Sequence, residues 1–351
     1  MLKFVGVRYV LCWLVLIGAT LYAEAQEARR LAVVSVAQVL GQQQLGGFAV
    51  SVPVKCTANG DLYVNFVGSH SDPGVSVLYD EGKHLSWFGL SRAADSFKDA
   101  NLLDFAPGAG HDVVFLVSTN PSQGTPTEYF AVRMKPDGSS ASIKLGVKPG
   151  FLLRQIALLG SESFVVSGFF IPQPDNPVPF VAMFDVNGQF IKKLDKPGDL
   201  TTKDVMESNK PSGKEPSQTP ASWLDLSSLQ TADDGAVYLT RKTSKGPVFL
   251  ISPGGAVQRI VLAPPNREAK LSSVKINKGK IAAQYNLASI SGQHRYSIAV
   301  VDVLTEQRQQ LINYEGSQST GVGMVCYREQ TFEFLSQDVD GHLQVVRAIG
   351  N

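Results

Sequence analysis

A unit of two β-rich segments joined by a tight turn recurs along the chain and constrains the fold more than any other feature of the sequence. In the first unit an alternating segment, Phe48 to Lys55, leads through Asn59-Gly60 into Leu62 to Val67. Asn-Gly between two apolar runs is a strong signal for a β-hairpin, because both residues tolerate positive φ. The later units turn at Gly108-Ala109-Gly110, Gly160-Ser161-Glu162, Asp233-Asp234-Gly235, Asn277-Lys278-Gly279 and Arg328-Glu329-Gln330. The chain is therefore predicted to be repetitive and all-β.

Four strands, rather than two, make up the recurring unit. In the first unit a second pair of segments, Val75 to Tyr79 and Leu85 to Leu90, turns at Glu81-Gly82, and the next four units continue in the same way. Four strands repeated at a spacing of about 50 residues are typical of the blades of a β-propeller. The sequence therefore predicts an all-β fold, a six-bladed β-propeller with four-stranded antiparallel blades.

The last unit is one strand short of a blade. It supplies Val322 to Cys326, Phe332 to Leu335 and His342 to Ile349. The β-branched run Leu31 to Val36 belongs to no other unit and has the composition of an outer strand. We expect this N-terminal strand to close the last blade, because a ring closed in this way leaves no long unpaired edge at its seam.

Residues 1–25 have the pattern of a signal peptide. Lys3 and Arg8 precede an apolar run from Tyr9 to Leu21, and Ala23-Glu24-Ala25 is a small-x-small cleavage motif. The apolar run is shorter than the roughly 20 residues of a membrane span, although an uncleaved anchor is the alternative. We expect cleavage after Ala25, a secreted or periplasmic location, and a single propeller domain over 26–351 without a stable membrane span.

The charge balance argues against a nucleic-acid partner. Removal of residues 1–25 takes away two of the 32 basic and one of the 31 acidic side chains, so the remaining chain is formally neutral. Its Lys and Arg residues are scattered among acidic ones rather than clustered. Binding to a phosphate backbone depends on clustered basic residues, so we expect no contact with nucleic acid.

Two cysteines remain after the predicted cleavage, Cys56 and Cys326. Each lies at or just past the end of the first strand of a unit, one in the first blade and one in the last. These blades are neighbours in a closed ring, and export to an oxidising compartment would permit a disulfide between them. The alternative is two buried free thiols, because free cysteine usually behaves as a small apolar side chain.

Loop length predicts where a partner would bind. The connections between the second and third strands are longer than the hairpin turns, for example Asn120 to Thr127 and Leu287 to Arg295. The largest link between blades, Lys196 to Pro220, is polar and is predicted to be disordered or to form an ordered flap. All these segments emerge on one face of a propeller. Loops on a rigid scaffold commonly carry binding function, so this loop-rich face is the predicted binding surface.

Three charged residues mark the predicted mouth of the central channel. An alignment of the triplets that end in Asp104, Arg154 and Asp225 places these side chains at the same point of three blades. They could bind a polar ligand or neutralise one another in a buried network. No metal-binding spacing, nucleophile elbow, phosphate loop or dinucleotide fingerprint occurs, so no metal site and no cofactor are predicted.

The turn-then-strand stretches Asn59-Gly60-Asp61-Leu62-Tyr63-Val64 and Asp234-Gly235-Ala236-Val237-Tyr238-Leu239 resemble those of secreted six-bladed propellers of the NHL and TolB-like kind. The resemblance covers nearly the whole mature chain and is one of architecture. The Asp and Asn-x-Arg that follow the second strand in NHL repeats are missing, since Asn65-Phe66-Val67 and Thr240-Arg241-Lys242 stand there. Members of such families are often binding scaffolds and sometimes lactonase-type or lyase enzymes.

Two hypotheses from different classes follow. The first is an exported binding or scaffold protein that contacts a protein, peptide or glycan through its loop-rich face. The alternative is a lactonase-like or lyase-like enzyme that acts at the mouth of the central channel, with Asp104, Arg154 and Asp225 nearby. No catalytic signature recurs with the blades, and this favours the binding hypothesis.

Overall fold

The computed structural model of the chain describes most of the repeating units. The described residues are 29–38, 49–67, 72–79, 84–94, 97, 100–120, 126–161, 163–170, 178–194, 227–241, 247–290, 293–315, 323–338 and 340–351. The predicted signal peptide, the 196–220 insertion and Asp225 lie outside them.

The described strands follow the predicted units closely. The first sheet contains β2 (Ala49–Cys56), β3 (Leu62–Val67), β4 (Gly74–Tyr79) and β5 (His84–Gly89). The second contains β6 (Asn101–Pro107), β7 (Val113–Thr119), β8 (Glu128–Met134) and β9 (Ser140–Lys144). The third contains β10 (Phe151–Leu159), β11 (Ser163–Phe170), β12 (Val178–Asp185) and β13 (Phe190–Lys193).

The second half of the chain continues in the same way. The fourth sheet contains β14 (Ser227–Thr231), β15 (Val237–Arg241), β16 (Pro247–Ile251) and β17 (Val257–Val261). The fifth contains β18 (Lys270–Asn277), β19 (Lys280–Ile290), β20 (Gln293–Asp302) and β21 (Arg308–Glu315). The last sheet contains β22 (Met324–Arg328), β23 (Thr331–Gln337), β24 (Leu343–Gly350) and the N-terminal β1 (Arg29–Gln38). Short 3₁₀ turns lie at Leu90–Arg92 and Ala109–His111.

The N-terminal strand β1 completes the last sheet. It pairs antiparallel with β24 from Leu31, opposite Gly350, to Gln38, opposite Gln344. It also pairs in parallel with β21 at Arg29 and Arg30, which joins the fifth and last sheets into one eight-stranded sheet. The other sheets have four antiparallel strands each. The structure thus confirms the all-β fold and the pairing of Leu31 to Val36 with the last unit.

Buried apolar side chains fill the layers between consecutive sheets, and the last sheet packs against the first. Val54 and Leu62 of the first sheet share one such layer with Val325, Leu335 and Val345 of the last sheet. Similar layers separate the other neighbouring sheets. This is a propeller-like arrangement of four-stranded sheets, in which each sheet buries both of its faces.

The position of a strand in its sheet explains its composition. The second strand β7 lies between two neighbouring sheets, so both of its faces are buried and its residues are almost continuously apolar. The outer strand β13 exposes all four of its residues and contains Lys192 and Lys193. Inner strands therefore build the core, and outer strands face the solvent.

The turns that join first and second strands contact one another from sheet to sheet. The contacts are Asp61 Oδ2 to His111 Nδ1 (3.0 Å), Gly160 N to Gly235 O (2.7 Å), Lys278 N to Asp233 Oδ2 (2.9 Å) and Arg328 Nη1 to Asn59 O (2.7 Å). Gly60 has φ +89, a backbone conformation that L side chains rarely adopt, so the turn favours glycine there. Tight turns thus form one rim of the molecule.

Within the part of the chain that the structure describes, no helix is long and apolar enough to cross a membrane.

Candidate functional site

The innermost strands bring a lysine and an aspartate together at the axis. Lys55 on β2 is 1% exposed, and its Nζ lies 2.7 Å from Oδ2 of Asp104 on β6. The same ammonium group donates hydrogen bonds to the carbonyl oxygens of Phe105 and Ile156, the latter at 3.0 Å. The Ile156 N–H in turn donates to Asp104 Oδ2 at 2.8 Å. One buried ion pair therefore links the innermost strands of three sheets.

Burial and pairing act in opposite directions on these two charges. Desolvation raises the pKa of Asp104 and lowers the pKa of Lys55, because removal from water penalises the charged form of each group. Their mutual attraction opposes both shifts, as do the backbone hydrogen bonds to the Asp104 carboxylate. Such a pair adds little net stability over apolar residues of the same shape. Loss of one partner, however, leaves the other charge buried and unpaired.

A second lysine extends the polar axis to the other side of the ring. Lys275 on β18 donates to the carbonyl oxygen of Val54 on β2 at 2.5 Å and to Gln230 Oε1 on β14 at 3.3 Å. Gln230 Oε1 also accepts a hydrogen bond from the Tyr238 hydroxyl at 2.7 Å. Lys275 and Gln230 are both buried. Together the two lysines tie the innermost strands of five sheets to one another.

The structure describes two of the three predicted channel residues and places them in different surroundings. Asp104 is only 7% exposed and is held by Lys55, whereas Arg154 is exposed, and its charge acts on the hydroxyl of Tyr129. Asp225 lies outside the described residues. The structure therefore does not bring Asp104 and Arg154 into one site.

The positions of two β-bulges explain why the alignment of Asp104 with Arg154 is wrong by one residue. The register of β6 shifts between Leu102 and Asp104, and that of β10 shifts between Leu153 and Gln155. Arg154 is the extra residue of the second bulge, so the residue equivalent to Asp104 is Gln155. An extra residue reverses the face to which a side chain points.

Sequence reasoning missed both axial lysines, although the sequence carries a signal for them. Each lysine stands between apolar residues late in the first strand of a unit, in Val54-Lys55-Cys56 and in Val274-Lys275-Ile276. A charged residue inside such a run is seldom buried unless it is paired. The pattern therefore calls for a buried partner, which the three-dimensional structure identifies.

The seam between the first and last sheets carries a disulfide and a cluster of charges. The structure joins Cys56 of β2 to Cys326 of β22, with Cα atoms 5.7 Å apart, within the usual range for a disulfide. Nearby, Glu333 Oε1 accepts a hydrogen bond from Arg347 Nε at 2.9 Å and lies 3.6 Å from Arg328 Nη2. Glu333 is fully buried. The disulfide and the shared apolar layer thus hold the seam, and the charged cluster lies within the last sheet.

One cluster has the residue types of a metal site. Asp338, Asp340 and His342 place ligand atoms within 4.8 Å of one another in the turn between β23 and β24. Asp338 Oδ1 accepts hydrogen bonds from the backbone N–H groups of Asp340 at 3.0 Å and His342 at 2.8 Å. Asp338 Oδ2 accepts one from Gln38 Nε2 at 3.1 Å. This pattern is that of an aspartate-capped turn, and it accounts for the cluster without an ion.

Comparisons with known proteins add little about function. The sequence matches no protein-family model, and it matches no curated protein. Among solved structures it is similar to a protein of unknown function from Bacteroides caccae, at 10% identity and TM-score 0.40 over 82% of this chain and 94% of that one. It is also similar to a subtype N10 neuraminidase-like protein of A/little yellow-shouldered bat/Guatemala/060/2010, at 11% identity and TM-score 0.44 over 92% of this chain and 100% of that one. At these TM-scores neither similarity bears on what this chain does.

Proposed function

We propose that the chain is an exported binding or scaffold protein that contacts a protein, peptide or glycan through its loop-rich face. The observation that carries this proposal is the burial of Asp104 against Lys55. A channel-mouth enzyme needs polar groups that a substrate can reach, whereas here the central carboxylate is already bonded to an ammonium group and a backbone N–H. The axis serves the scaffold, which favours binding over catalysis at the channel.

We further propose that the scaffold is a six-bladed ring related in architecture to the NHL and TolB-like propellers. The pairing of β1 with β24 supports this count, because β1 then gives the last blade its fourth strand. The eight-stranded sheet consists of this blade and the four strands β18 to β21. The shared apolar layer between the last and first sheets supports closure.

Export is proposed from the signal-peptide pattern of residues 1–25. The disulfide between Cys56 and Cys326 supports it, because such bonds form and persist mainly in oxidising compartments. Expression of the full chain followed by mass spectrometry of the exported protein tests this directly. A mature chain that begins at Gln26 is expected, and a chain that keeps residues 1–25 would contradict it.

A capture experiment tests the binding proposal. Mature protein is immobilised and exposed to extracellular or periplasmic extract, beside a variant that lacks Lys196 to Pro220 and an axial variant, Lys55→Met with Asp104→Leu. We expect one saturable partner that binds the mature protein and the axial variant but binds the deletion variant weakly. The proposal would be overturned if the deletion variant captured as much partner as the mature protein while the axial variant, still folded, captured less.

A further inference from the structure

An apolar pocket lies in the layer between the second and third sheets. Its volume is about 270 Å³, and it is lined by β12, β13 and the link that leads from the second sheet into β10. The aromatic walls come from Phe151, Phe180, Phe184 and Phe190.

The side chains on one face of β12 shape the pocket. Phe180, Ala182 and Phe184 alternate along the strand and therefore point to the same face. Ala182 presents only a methyl group between two phenyl rings, so the space that a larger side chain would fill stays open. The ring of Phe151 meets that of Phe180 edge-on at 5.0 Å, and Phe184 meets Phe190 edge-on at 5.9 Å. These ring contacts shape two walls of the pocket.

Apolar side chains continue from the pocket onto the surface. Phe190 is 52% exposed, and Val186 and Ile191 of the same hairpin are 41% and 47% exposed. Phe190 both lines the pocket and faces solvent, so the apolar surface inside and outside is continuous. Exposed apolar side chains beside the pocket are suited to contact with an apolar ligand.

Two lysines give the pocket its charge. Lys148, from the link, and Lys193, from β13, both line it, and both are exposed. The described lining includes no acidic residue. An apolar body would bury against the phenyl rings, while an anionic group would remain near the ammonium groups and water.

We propose that this pocket binds a small amphiphilic carboxylate, with an aromatic or medium-chain acyl body among the phenyl rings and its carboxylate beside Lys148 and Lys193. This goes beyond the proposed binding of a macromolecule, and it does not depend on the loop-rich face. Sites for small molecules are commonly apolar clefts in which a few polar groups set orientation. The proposal therefore predicts selectivity for an anionic head group over neutral or cationic ones with the same chain.

The test is a calorimetric titration of the mature protein with sodium decanoate, decanol and decyltrimethylammonium below their micelle concentrations. We expect decanoate to bind at one site per chain and more tightly than the other two probes. Lys148→Gln with Lys193→Gln should weaken decanoate about tenfold, as expected for the loss of two exposed ion pairs. Lys192→Gln is the matched control, because Lys192 donates to the Gly254 carbonyl at 3.2 Å and does not line the pocket. The Lys192→Gln variant should bind decanoate with the affinity of the unchanged protein.

Two further variants locate the site. Ala182→Leu should fill the pocket and abolish decanoate binding, and Phe190→Ala, at an exposed position, should weaken binding several-fold without lowering the melting temperature. Equal affinity for decanol and decanoate, or no effect of the lysine changes, would overturn the carboxylate assignment. No saturable binding of any probe, or undiminished binding by the Phe190→Ala protein, would overturn the pocket itself.

Discussion

The axis and the outer pocket use lysine in opposite ways. At the axis, Lys55 and Lys275 are buried and bonded to groups on other innermost strands. At the pocket, Lys148 and Lys193 are exposed beside phenyl rings. Buried charge holds the sheets in place, whereas exposed charge beside an apolar surface is suited to binding a ligand. On the proposals made above, the centre of the ring has a structural role and the periphery binds the ligand.

The largest expected effect is the loss of one axial charge. Asp104→Leu leaves the Lys55 ammonium buried without its carboxylate, so it should lower the free energy of unfolding by about 3 to 5 kcal/mol. Urea unfolding of the mature protein measures this. As a control, Asp137→Leu removes an exposed turn aspartate and should cost far less. A loss below about 1 kcal/mol, the usual value for an exposed pair, would mean that Asp104 is open to water after all.

The seam should give the next largest effect. Cys326→Ser removes the disulfide to Cys56 and should lower the free energy of unfolding by about 2 to 4 kcal/mol. Because one bond is lost in either case, the double variant Cys56→Ser with Cys326→Ser should lose the same amount as the single one. A reducing agent should destabilise the wild-type protein and leave both variants unchanged. Reductant-insensitive unfolding of the wild type would argue against the bond.

The sequence predicted the strands of the scaffold better than the contacts between them. Turn residues and alternating apolar residues predicted the strands, and the three-strand last unit predicted that Leu31 to Val36 would complete it; β1 pairs with β24 accordingly. Lys55 and Asp104 are 49 residues apart, so their contact depends on how two sheets sit beside each other. The bulge that moves Arg154 out of register with Asp104 likewise has no signature in the chain. Local pattern predicted the scaffold and allowed for the Cys56–Cys326 disulfide, but it did not predict the axial contacts between blades or the pocket.

Replacement of Tyr285 should have a smaller effect on the free energy of unfolding. Unlike the axial charges, its buried hydroxyl group is uncharged at neutral pH. Its hydroxyl has no hydrogen-bond partner among the described residues, and burial raises its pKa to about 12. A raised folded-state pKa contributes stability below the ordinary tyrosine pKa of about 10, and that stability is lost as pH rises through the folded value. Tyr285→Phe should therefore be neutral or stabilising at pH 7 and should reduce the loss of stability between about pH 10 and 12. Unfolding curves at several pH values measure it, and a loss at pH 7 above about 1 kcal/mol would reveal a hydrogen bond to this hydroxyl.

The smallest expected effect concerns the pocket lysines. Lys148→Gln with Lys193→Gln should change the free energy of unfolding by no more than about 0.5 kcal/mol, because both side chains are exposed. Urea unfolding beside the Lys192→Gln control measures this. A large loss of stability would show that the pocket lysines, like the axial ones, hold the sheets together, and the contrast between the two regions would disappear.

The account assigns a structural role to the axis and ligand binding to the periphery. Its most direct test is to measure binding by a variant whose axial ion pair has been replaced by apolar side chains. Lys55→Met with Asp104→Leu replaces the buried pair by side chains of similar size, and such exchanges are often neutral or stabilising. Decanoate affinity and partner capture by this variant are measured once circular dichroism and urea unfolding show that it is folded. The account predicts wild-type values for both. A folded variant that had lost either would show that the axial charges take part in binding.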